Sequence, residues 1–434
     1  MLRSPLNQTR HTRRDFLSAG TLAVGGLSLS QFLRADEAHP QESRKSAIVI
    51  LLDGGPSHIY TFDPKPATPS EYRGEFSPIS TALPGISFSE HLPRLAGAAS
   101  RFSLIRGVAH ALSDHGLGKQ YVLTGTKPLS TLSYPEYAAV MNTQCSAAAD
   151  LPGSVAIPRT VKGPGLLGIE HAPFETGQFP TAGRALNIPA LTMPAGLTEP
   201  LLQRREQLRR SLDQKFEASA DSAALLDGMD RHSQKAFSIL SSKRTRAAFD
   251  LSQERPSFAS QFAKDQLSQG GLLAIRLVEA GVLCVTITCG GWDTHQNNFP
   301  RLKNELLPKF DAGLTALLEG LPQRGLNDST TVLVTGEFGR SPKINDKPRP
   351  GREHYSKCMF MLLAGGNIAG GQVIGQSDET GARPVDTPIS PDDVAATFYQ
   401  SLRIDPGLVL NSPDGRPITL VRDGTPIAGL TGRG

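Results

Sequence analysis

The sequence predicts an α/β protein with a mostly parallel central sheet and helices on both of its faces. Four runs of six or seven residues are almost entirely apolar or β-branched, which is typical of strands buried on both faces. These runs are Ser46–Leu52, Val282–Thr288, Thr330–Thr335 and Cys358–Leu363. Helical patterns of roughly 10–20 residues lie between several of them, and this alternation indicates a parallel sheet.

The remaining elements follow along the chain between these strands. A short strand is expected at Ser103–Val108, and a loop from His110 leads into a helix that ends at Gly125. The other expected helices, read from the spacing of their apolar residues, are Phe88–Ser100, Gln261–Ala280, Leu302–Leu321 and Pro391–Ser401. Ser390 directly precedes the last helix and is expected to cap its N-terminus.

The N-terminal segment has the pattern of an export signal. A twin arginine, Arg13-Arg14, precedes a mildly apolar run that is shorter than the ~20 residues a membrane span requires. We therefore expect residues 1–38 to be a twin-arginine signal peptide, with no stable membrane span after cleavage. Residues 39–434 would form one domain in the periplasm or outside the cell, with a loop-rich and helical peripheral insertion at about 130–260.

The charge balance gives no indication of a nucleic-acid partner. Of the 45 basic and 41 acidic residues, five Arg and one Asp lie within residues 1–35, so the rest of the chain carries 40 of each. The basic character of the whole chain therefore belongs largely to the signal segment. Nucleic-acid binding domains usually carry a concentrated basic surface, which this composition does not indicate.

Carboxylates and histidines follow the predicted strands. Asp53 comes after the first strand, Asp293 and His295 follow a Gly-Gly turn after Val282–Thr288, and Glu337 follows Thr330–Thr335. Ligands of open α/β sheets bind at the carboxyl ends of the strands, where these side chains would meet. Like charges converge stably when a cation lies among them, so the pattern predicts a divalent metal. Mixed carboxylate and imidazole ligands favour zinc or manganese, with calcium as an alternative.

Four motifs, in this order, resemble a known family. They are DGGPSH at 53–58, GGWDTH at 290–295, GEFGR at 336–340 and GREHY at 351–355. With the twin-arginine segment, they are similar to the domain of unknown function 1501 family, which is similar to the alkaline phosphatase and sulfatase superfamily. The resemblance covers nearly the whole mature chain and implies an alkaline-phosphatase-like fold.

The resemblance also implies metal ligands, position by position. The carboxylate after the first strand corresponds to Asp53, and the later Asp and His of one loop correspond to Asp293 and His295. Where the superfamily has an Asp-His-Gly turn, this chain has Glu337-Phe338-Gly339, so one ligand is kept and a histidine is lost. The last histidine ligand corresponds to His354.

The nucleophile is where this chain departs from the sulfatase pattern. In sulfatases a reactive Cys or Ser opens a helix that ends in Leu-Thr-Gly, ten residues before the glycine. Here the helix ends at Gly125, and ten residues earlier stands His115, which is expected to be a metal ligand or a general acid/base. Alternatively Ser113 or Ser57 attacks directly. Lys119 and Arg340 are candidates to hold an anionic group.

These features predict an exported metal-dependent hydrolase of phosphate or sulfate esters. A metal-activated water or a hydroxyl would attack a small-molecule or polysaccharide ester. The absence of a standard nucleophile leaves a second possibility, a non-catalytic or surface-polysaccharide-binding protein on a hydrolase-like scaffold. A third is a phosphomutase-like transferase, since related folds move phosphate between hydroxyls.

Overall fold

The computed structural model describes residues 45–145, 147–148, 150–186, 188, 204, 238–239, 242–412 and 414–432. The predicted signal peptide, residues 1–38, lies outside the described residues, as does most of 187–241. None of the helices in the described part of the chain is long and apolar enough to cross a membrane.

The described residues form 14 strands and ten α-helices. The strands are β1 (Ser46–Leu52), β2 (Pro78–Ser80), β3 (Ser87–Ser89), β4 (Phe102–Val108), β5 (Ser154–Ile157), β6 (Phe174–Glu175), β7 (Cys284–Cys289), β8 (Thr330–Thr335), β9 (Gly339–Arg340), β10 (His354–Tyr355), β11 (Met359–Gly365), β12 (Val373–Ile374), β13 (Val409–Asn411) and β14 (Pro417–Thr419). The helices are α1 (Ser70–Arg73), α2 (Pro93–Gly97), α3 (His115–Thr124), α4 (Tyr137–Gln144), α5 (Lys243–Phe249), α6 (Pro256–Ala259), α7 (Gln266–Ala280), α8 (Asn298–Arg301), α9 (Leu307–Gln323) and α10 (Pro391–Ser401).

Eight strands make the central sheet, in the order β12-β4-β11-β8-β1-β7-β5-β6. β1 lies at the middle of the sheet and pairs in parallel with both β7 and β8. Only β11 runs antiparallel to its neighbours β4 and β8 within this sheet. The prediction of a mostly parallel sheet is therefore confirmed, and the carboxyl ends of β1, β7 and β8 lie together at one edge.

The alternation of side chains along β1 divides the core into two layers. Ile48, Ile50 and Leu52 face a layer built largely by α7 and α9, whereas Val49 and Leu51 face α3, α4 and α10. Every residue of β1 is buried, because helices cover both faces of the sheet. Helices on both faces were predicted from the unbroken apolar character of the strands, and this is confirmed.

Some predicted boundaries were wrong. The segment Phe88–Ser100 contains the end of β3 and only the short helix α2, since Pro93 provides a start for a helix in the middle of the segment. The helix predicted at Leu302–Leu321 begins with a π-helical turn at Leu302–Leu306 before α9. The segment at 130–260 contributes β5 and β6 to the edge of the central sheet, so its described part is not wholly peripheral.

Candidate metal centre

The carboxyl edge of the sheet brings three acidic residues together. Asp53 follows β1, and its backbone N–H donates to the carbonyl of Cys289 at the end of β7 (2.9 Å). The backbone N–H of Gly54 donates to both carboxylate oxygens of Glu337, at 2.9 and 3.1 Å, so the loop after β1 is joined to the loop after β8. Gly54 has φ +118°, and a Cβ there would lie 2.2 Å from the backbone nitrogen of Asp293. Only glycine permits the β1 and β7 loops to approach this closely.

Helix α3 places His115 against the same edge. Asp114 caps the helix by accepting from the N–H of Leu117, and His115 is the first helical residue. A Cβ on Gly118 would lie 3.2 Å from the Cβ of Glu337, so α3 packs closely on the loop after β8. As a result, His115 Nδ1 lies 2.6 Å from Glu337 Oε1.

A short antiparallel ribbon brings the last histidine into the site. β9 pairs with β10, so that Arg340 lies opposite His354. The loop before β10 is held by Arg352, which is fully buried, donates to the hydroxyl of Tyr60 and lies over its ring. His354 therefore reaches the edge of the sheet although its strand is outside the sheet.

Two imidazoles and one carboxylate converge at the centre of this arrangement. His295 Nε2 lies 2.9 Å from His354 Nε2 and 3.0 Å from Asp293 Oδ1. His354 Nε2 lies 3.3 Å from the same oxygen, and His115 Nε2 lies 3.5 Å from the other oxygen of Asp293. The side chain of Asp293 is 45% exposed, so the cluster opens to solvent on this side.

Hydrogen-bond acceptors beside the outer nitrogens of His295 and His354 favour one tautomer of each ring. His295 Nδ1 contacts the carboxylate of Glu353, and His354 Nδ1 lies 3.0 Å from the backbone carbonyl of Ser113. Both partners only accept hydrogen bonds, because the hydrogen bond from Lys347 lowers the pKa of Glu353 to about 2. In the tautomer with its proton on Nδ1, each imidazole donates to its outer partner and directs the lone pair of Nε2 towards Asp293.

The resulting group of acceptors has the composition and spacing of a metal site. The Nε2 atoms of His295 and His354 and the Oδ1 atom of Asp293 lie 2.9–3.3 Å apart. In a tetrahedral site with metal–nitrogen distances of about 2.0–2.1 Å, neighbouring ligand atoms are about 3.3 Å apart. Ligand atoms of His115, Asp293 and His354 also lie within 4.8 Å of one another, and so do those of Asp53, His115 and Glu337. The side chains therefore fit a divalent ion.

Arg340 lies buried beneath this cluster and holds Asp293 in place. Its side chain has no exposed surface and donates to the backbone carbonyls of Gly54 and Gly55 and to Asp293 Oδ1, the last at 2.5 Å. Burial raises the pKa of Asp293, but the hydrogen bond and charge of Arg340 outweigh it and lower that pKa to about 2. A guanidinium enclosed in this way positions Asp293, and it has no surface with which to hold a substrate anion as the sequence suggested.

The hydroxyls of the two candidate serine nucleophiles make no hydrogen bond to the cluster. Ser113 Oγ lies 3.0 Å from the hydroxyl of Ser356, while its backbone carbonyl accepts from His354. Ser57 is 2% exposed and has no hydrogen-bond partner at its hydroxyl. His58 is also engaged elsewhere: its Nε2 lies 2.8 Å from the carbonyl of Gly381, and burial lowers its pKa to about 4.

Glu353 is the residue of this site that the sequence did not indicate. One oxygen accepts from His295, and the other accepts from Asn345 and Lys347, each at 2.8 Å. A carboxylate that accepts from the outer nitrogen of a histidine ligand orients the ring and raises its basicity. The signal was present in the GREHY motif, where Glu353 directly precedes His354, but the partner of Glu353 is the more distant His295.

A comparison with family descriptions identifies the chain. The family described as "Protein of unknown function (DUF1501)" matches residues 44–431. The chain belongs to the DUF1501 family. A search of curated protein sequences gave no match.

Solved structures with a similar chain course include sulfatases and alkaline phosphatases. The PsFucS1 sulfatase from Pseudoalteromonas sp. is 11% identical, with a TM-score of 0.38 over 86% of this chain and 70% of that one. The alkaline phosphatase from the Antarctic bacterium TAB5 is 13% identical, with a TM-score of 0.36 over 84% and 99%. Ps i-CgsB, solved with k-i-k-neocarrahexaose, is 11% identical, with a TM-score of 0.40 over 84% and 73%. At such low similarity, the function proposed below depends on the side chains of this site.

Proposed function

We propose that this DUF1501 protein is a metal-dependent hydrolase of phosphate or sulfate esters. The observation that carries the proposal is the set of acceptor atoms formed by His295 Nε2, His354 Nε2 and Asp293 Oδ1, 2.9–3.3 Å apart. The outer nitrogens of both imidazoles face hydrogen-bond acceptors, and the tautomers protonated there leave both Nε2 atoms free to bind a cation. The opening beside Asp293 gives a substrate access to it.

His115, Asp293, His295 and His354 would hold the ion. Zinc or manganese fits this nitrogen-rich set better than calcium, which prefers an all-oxygen shell. An ion bound there supplies Lewis-acid polarisation of an ester oxygen and lowers the pKa of a water nucleophile.

The surrounding side chains orient the reacting groups. Arg340 holds Asp293 in place, and Glu353 and the carbonyl of Ser113 hold the two imidazoles. Lys119, with its side chain 20% exposed, places an ammonium beside Asp53 where an anionic oxygen of the ester can contact it. Because the Ser113 hydroxyl is hydrogen-bonded to Ser356 and Ser57 is buried, we propose a metal-activated water rather than either hydroxyl as the attacking group.

A panel of aryl phosphates and aryl sulfates tests the proposal directly. Purified protein is expected to hydrolyse at least one of them, to lose the activity on dialysis against a chelator, and to regain it with zinc or manganese. Bound metal without turnover of any ester would instead favour a polysaccharide-binding protein, the alternative supported by the lack of a serine or cysteine at position 115. Transfer of phosphate to a second hydroxyl, detected in the products, would indicate a transferase.

We also propose that the protein is exported by the twin-arginine route and acts in the periplasm or outside the cell. Arg13 and Arg14 carry this proposal, since a twin arginine before a short apolar run is the signal that the export receptor reads. Replacing both with Lys should leave the full-length protein in the cytoplasm. Unchanged export of this variant, measured by cell fractionation, would refute the proposal.

A further inference from the structure

The Asp53 carboxylate already has a cation beside it. Lys119 Nζ lies 2.6 Å from Asp53 Oδ1, and the two side chains are only 20% and 29% exposed. Lys119 is on α3, one turn after His115, so the helix that brings His115 to the site also brings the ammonium. The ion pair is therefore set by the packing of α3 on the sheet.

The second set of possible ligands differs from the first in its spacing. In the set of Asp53, His115 and Glu337, the distance from His115 Nδ1 to Glu337 Oε1 is 2.6 Å, the length of a charge-assisted hydrogen bond. Both oxygens of Glu337 also accept from the N–H of Gly54. Both Glu337 oxygens therefore lie at hydrogen-bond distance from an N–H group, whereas His295 Nε2, His354 Nε2 and Asp293 Oδ1 lie 2.9–3.3 Å apart, close to the spacing of ligands around one ion.

His115 cannot serve both sets in its neutral form. With its proton on Nδ1, shared with Glu337, its lone pair is on Nε2, which lies 3.5 Å from Asp293. The hydrogen bond to Glu337 therefore directs His115 to the ion held by the other histidines. Asp53 and Glu337 are left without an imidazole partner for a second ion.

We propose that the centre binds one metal ion and that the ammonium of Lys119 takes the place of a second. Asp53 and Glu337, which the sequence indicated as ligands, then act as the partners of Lys119 and His115. The proposal rests on the proposed function, since it presupposes that His115, Asp293, His295 and His354 bind a metal. Beyond that function, the proposal states how many ions the centre binds and which residue determines this number.

Zinc titration of the metal-free full-length protein tests the number of ions. We expect one zinc per chain, measured by calorimetry and by elemental analysis after dialysis. Two ions per chain would overturn this inference and leave the proposed hydrolase intact. Failure to bind any zinc or manganese would overturn the proposed function itself, so the two failures are distinguishable.

Substitutions of Asp53 and Lys119 test the division of roles. Asp53→Asn is expected to retain one zinc with an unchanged Kd, whereas Asp293→Asn loses it; equal loss in both would make Asp53 a ligand and overturn the inference. Lys119→Met, which removes the charge at similar size, should expose a second, weaker zinc-binding step, and Lys119→Arg should not. A Lys119→Met protein that still binds a single zinc at millimolar concentration would contradict the proposal that Lys119 takes the place of a second ion.

Lys347→Met is the matched control. It also removes a lysine 2.8 Å from a carboxylate, but that carboxylate, Glu353, faces the outer nitrogen of His295. One zinc per chain is expected. A second ion in this variant would show that loss of any nearby lysine recruits zinc, and would overturn the assignment to Lys119. Thermal unfolding of each variant identifies a protein that fails to fold. If a lysine variant fails, the number of zinc ions bound by the wild type and the zinc affinity of Asp53→Asn decide whether the inference holds.

Discussion

Replacing Glu353 with Gln should reverse the protonation of His295 and weaken metal binding. In the structure, Asn345 and Lys347 both donate to one oxygen of Glu353, each at 2.8 Å. A glutamine at 353 must place its carbonyl oxygen there, because only an oxygen can accept both hydrogen bonds. Its NH₂ group then faces His295 Nδ1, where the wild-type carboxylate accepts a hydrogen bond. The imidazole would move its proton to Nε2, the atom that faces Asp293.

The expected loss of metal affinity follows from the role of a carboxylate that accepts from the outer nitrogen of a histidine ligand. Substitution of a carboxylate behind a histidine ligand typically weakens metal affinity about 10–100-fold, which corresponds to about 1.4–2.7 kcal/mol. We expect Glu353→Gln to reach at least the upper part of this range, since the amide both removes an acceptor and supplies a donor to the wrong nitrogen. Glu353→Ala, which allows water to accept from Nδ1, should lose less.

Zinc affinity by competition with a chromophoric chelator gives the magnitude, and ¹⁵N NMR of the histidine rings gives the tautomer. We expect the zinc Kd to rise in the order wild type, Glu353→Ala, Glu353→Gln. An unchanged zinc Kd in Glu353→Gln, or His295 with its proton still on Nδ1, would refute it. Lys347→Met serves as a control, since it leaves the carboxylate as an acceptor for His295.

Three further predictions concern other parts of the site and its support. Asp293→Ala should weaken zinc binding by more than the roughly 10–100-fold of an outer-shell change and abolish ester hydrolysis; a fully active variant, assayed with the best aryl ester, would contradict the proposal. Gly54→Ala should cost about 2 kcal/mol or more of unfolding free energy, because φ is +118° and the new Cβ would meet the backbone of Asp293 2.2 Å away; an unchanged midpoint in urea would be inconsistent with this packing. Burial lowers the pKa of His58 to about 4, so this side chain binds its proton more readily in the unfolded protein. Its contribution to stability is therefore complete above about pH 6.5 and is lost as the pH falls towards 4, a loss on the order of 3 kcal/mol. His58→Gln should reduce the acid sensitivity of the melting temperature between these pH values.

The fold could be predicted largely from its strands. β1 and β8 have the predicted boundaries. Ser46–Leu52 and Thr330–Thr335 are continuous buried runs, and each is followed directly by a loop that contains glycine. Helix α10 was predicted with its N-cap, since Ser390 and Pro391 form a strong local start signal. The helix expected at Phe88–Ser100 was wrong because its apolar spacing also suits the short strand β3 and α2, which pack by tertiary contacts.

The sequence indicated most side chains of the site, but it did not indicate how these side chains contact one another. Asp53, Asp293 and Glu337 were indicated because parallel strands end at one edge, and the structure brings them there with the predicted histidines. The burial of Arg340 depends on how three loops fold over it, which no local pattern encodes. The pairing of His295 with Glu353 likewise joins residues 58 positions apart through side-chain orientation, so no local pattern indicated Glu353 as part of the site.

The central claim is that His115, Asp293, His295 and His354 bind one divalent ion. X-ray absorption at the zinc edge of the reconstituted wild-type protein tests it most directly. The account predicts about one zinc per chain in a four-coordinate shell of nitrogen and oxygen at about 2.0–2.1 Å, with the scattering of at least two imidazoles. A shell of oxygen atoms without imidazole, or no zinc bound at all, would contradict it.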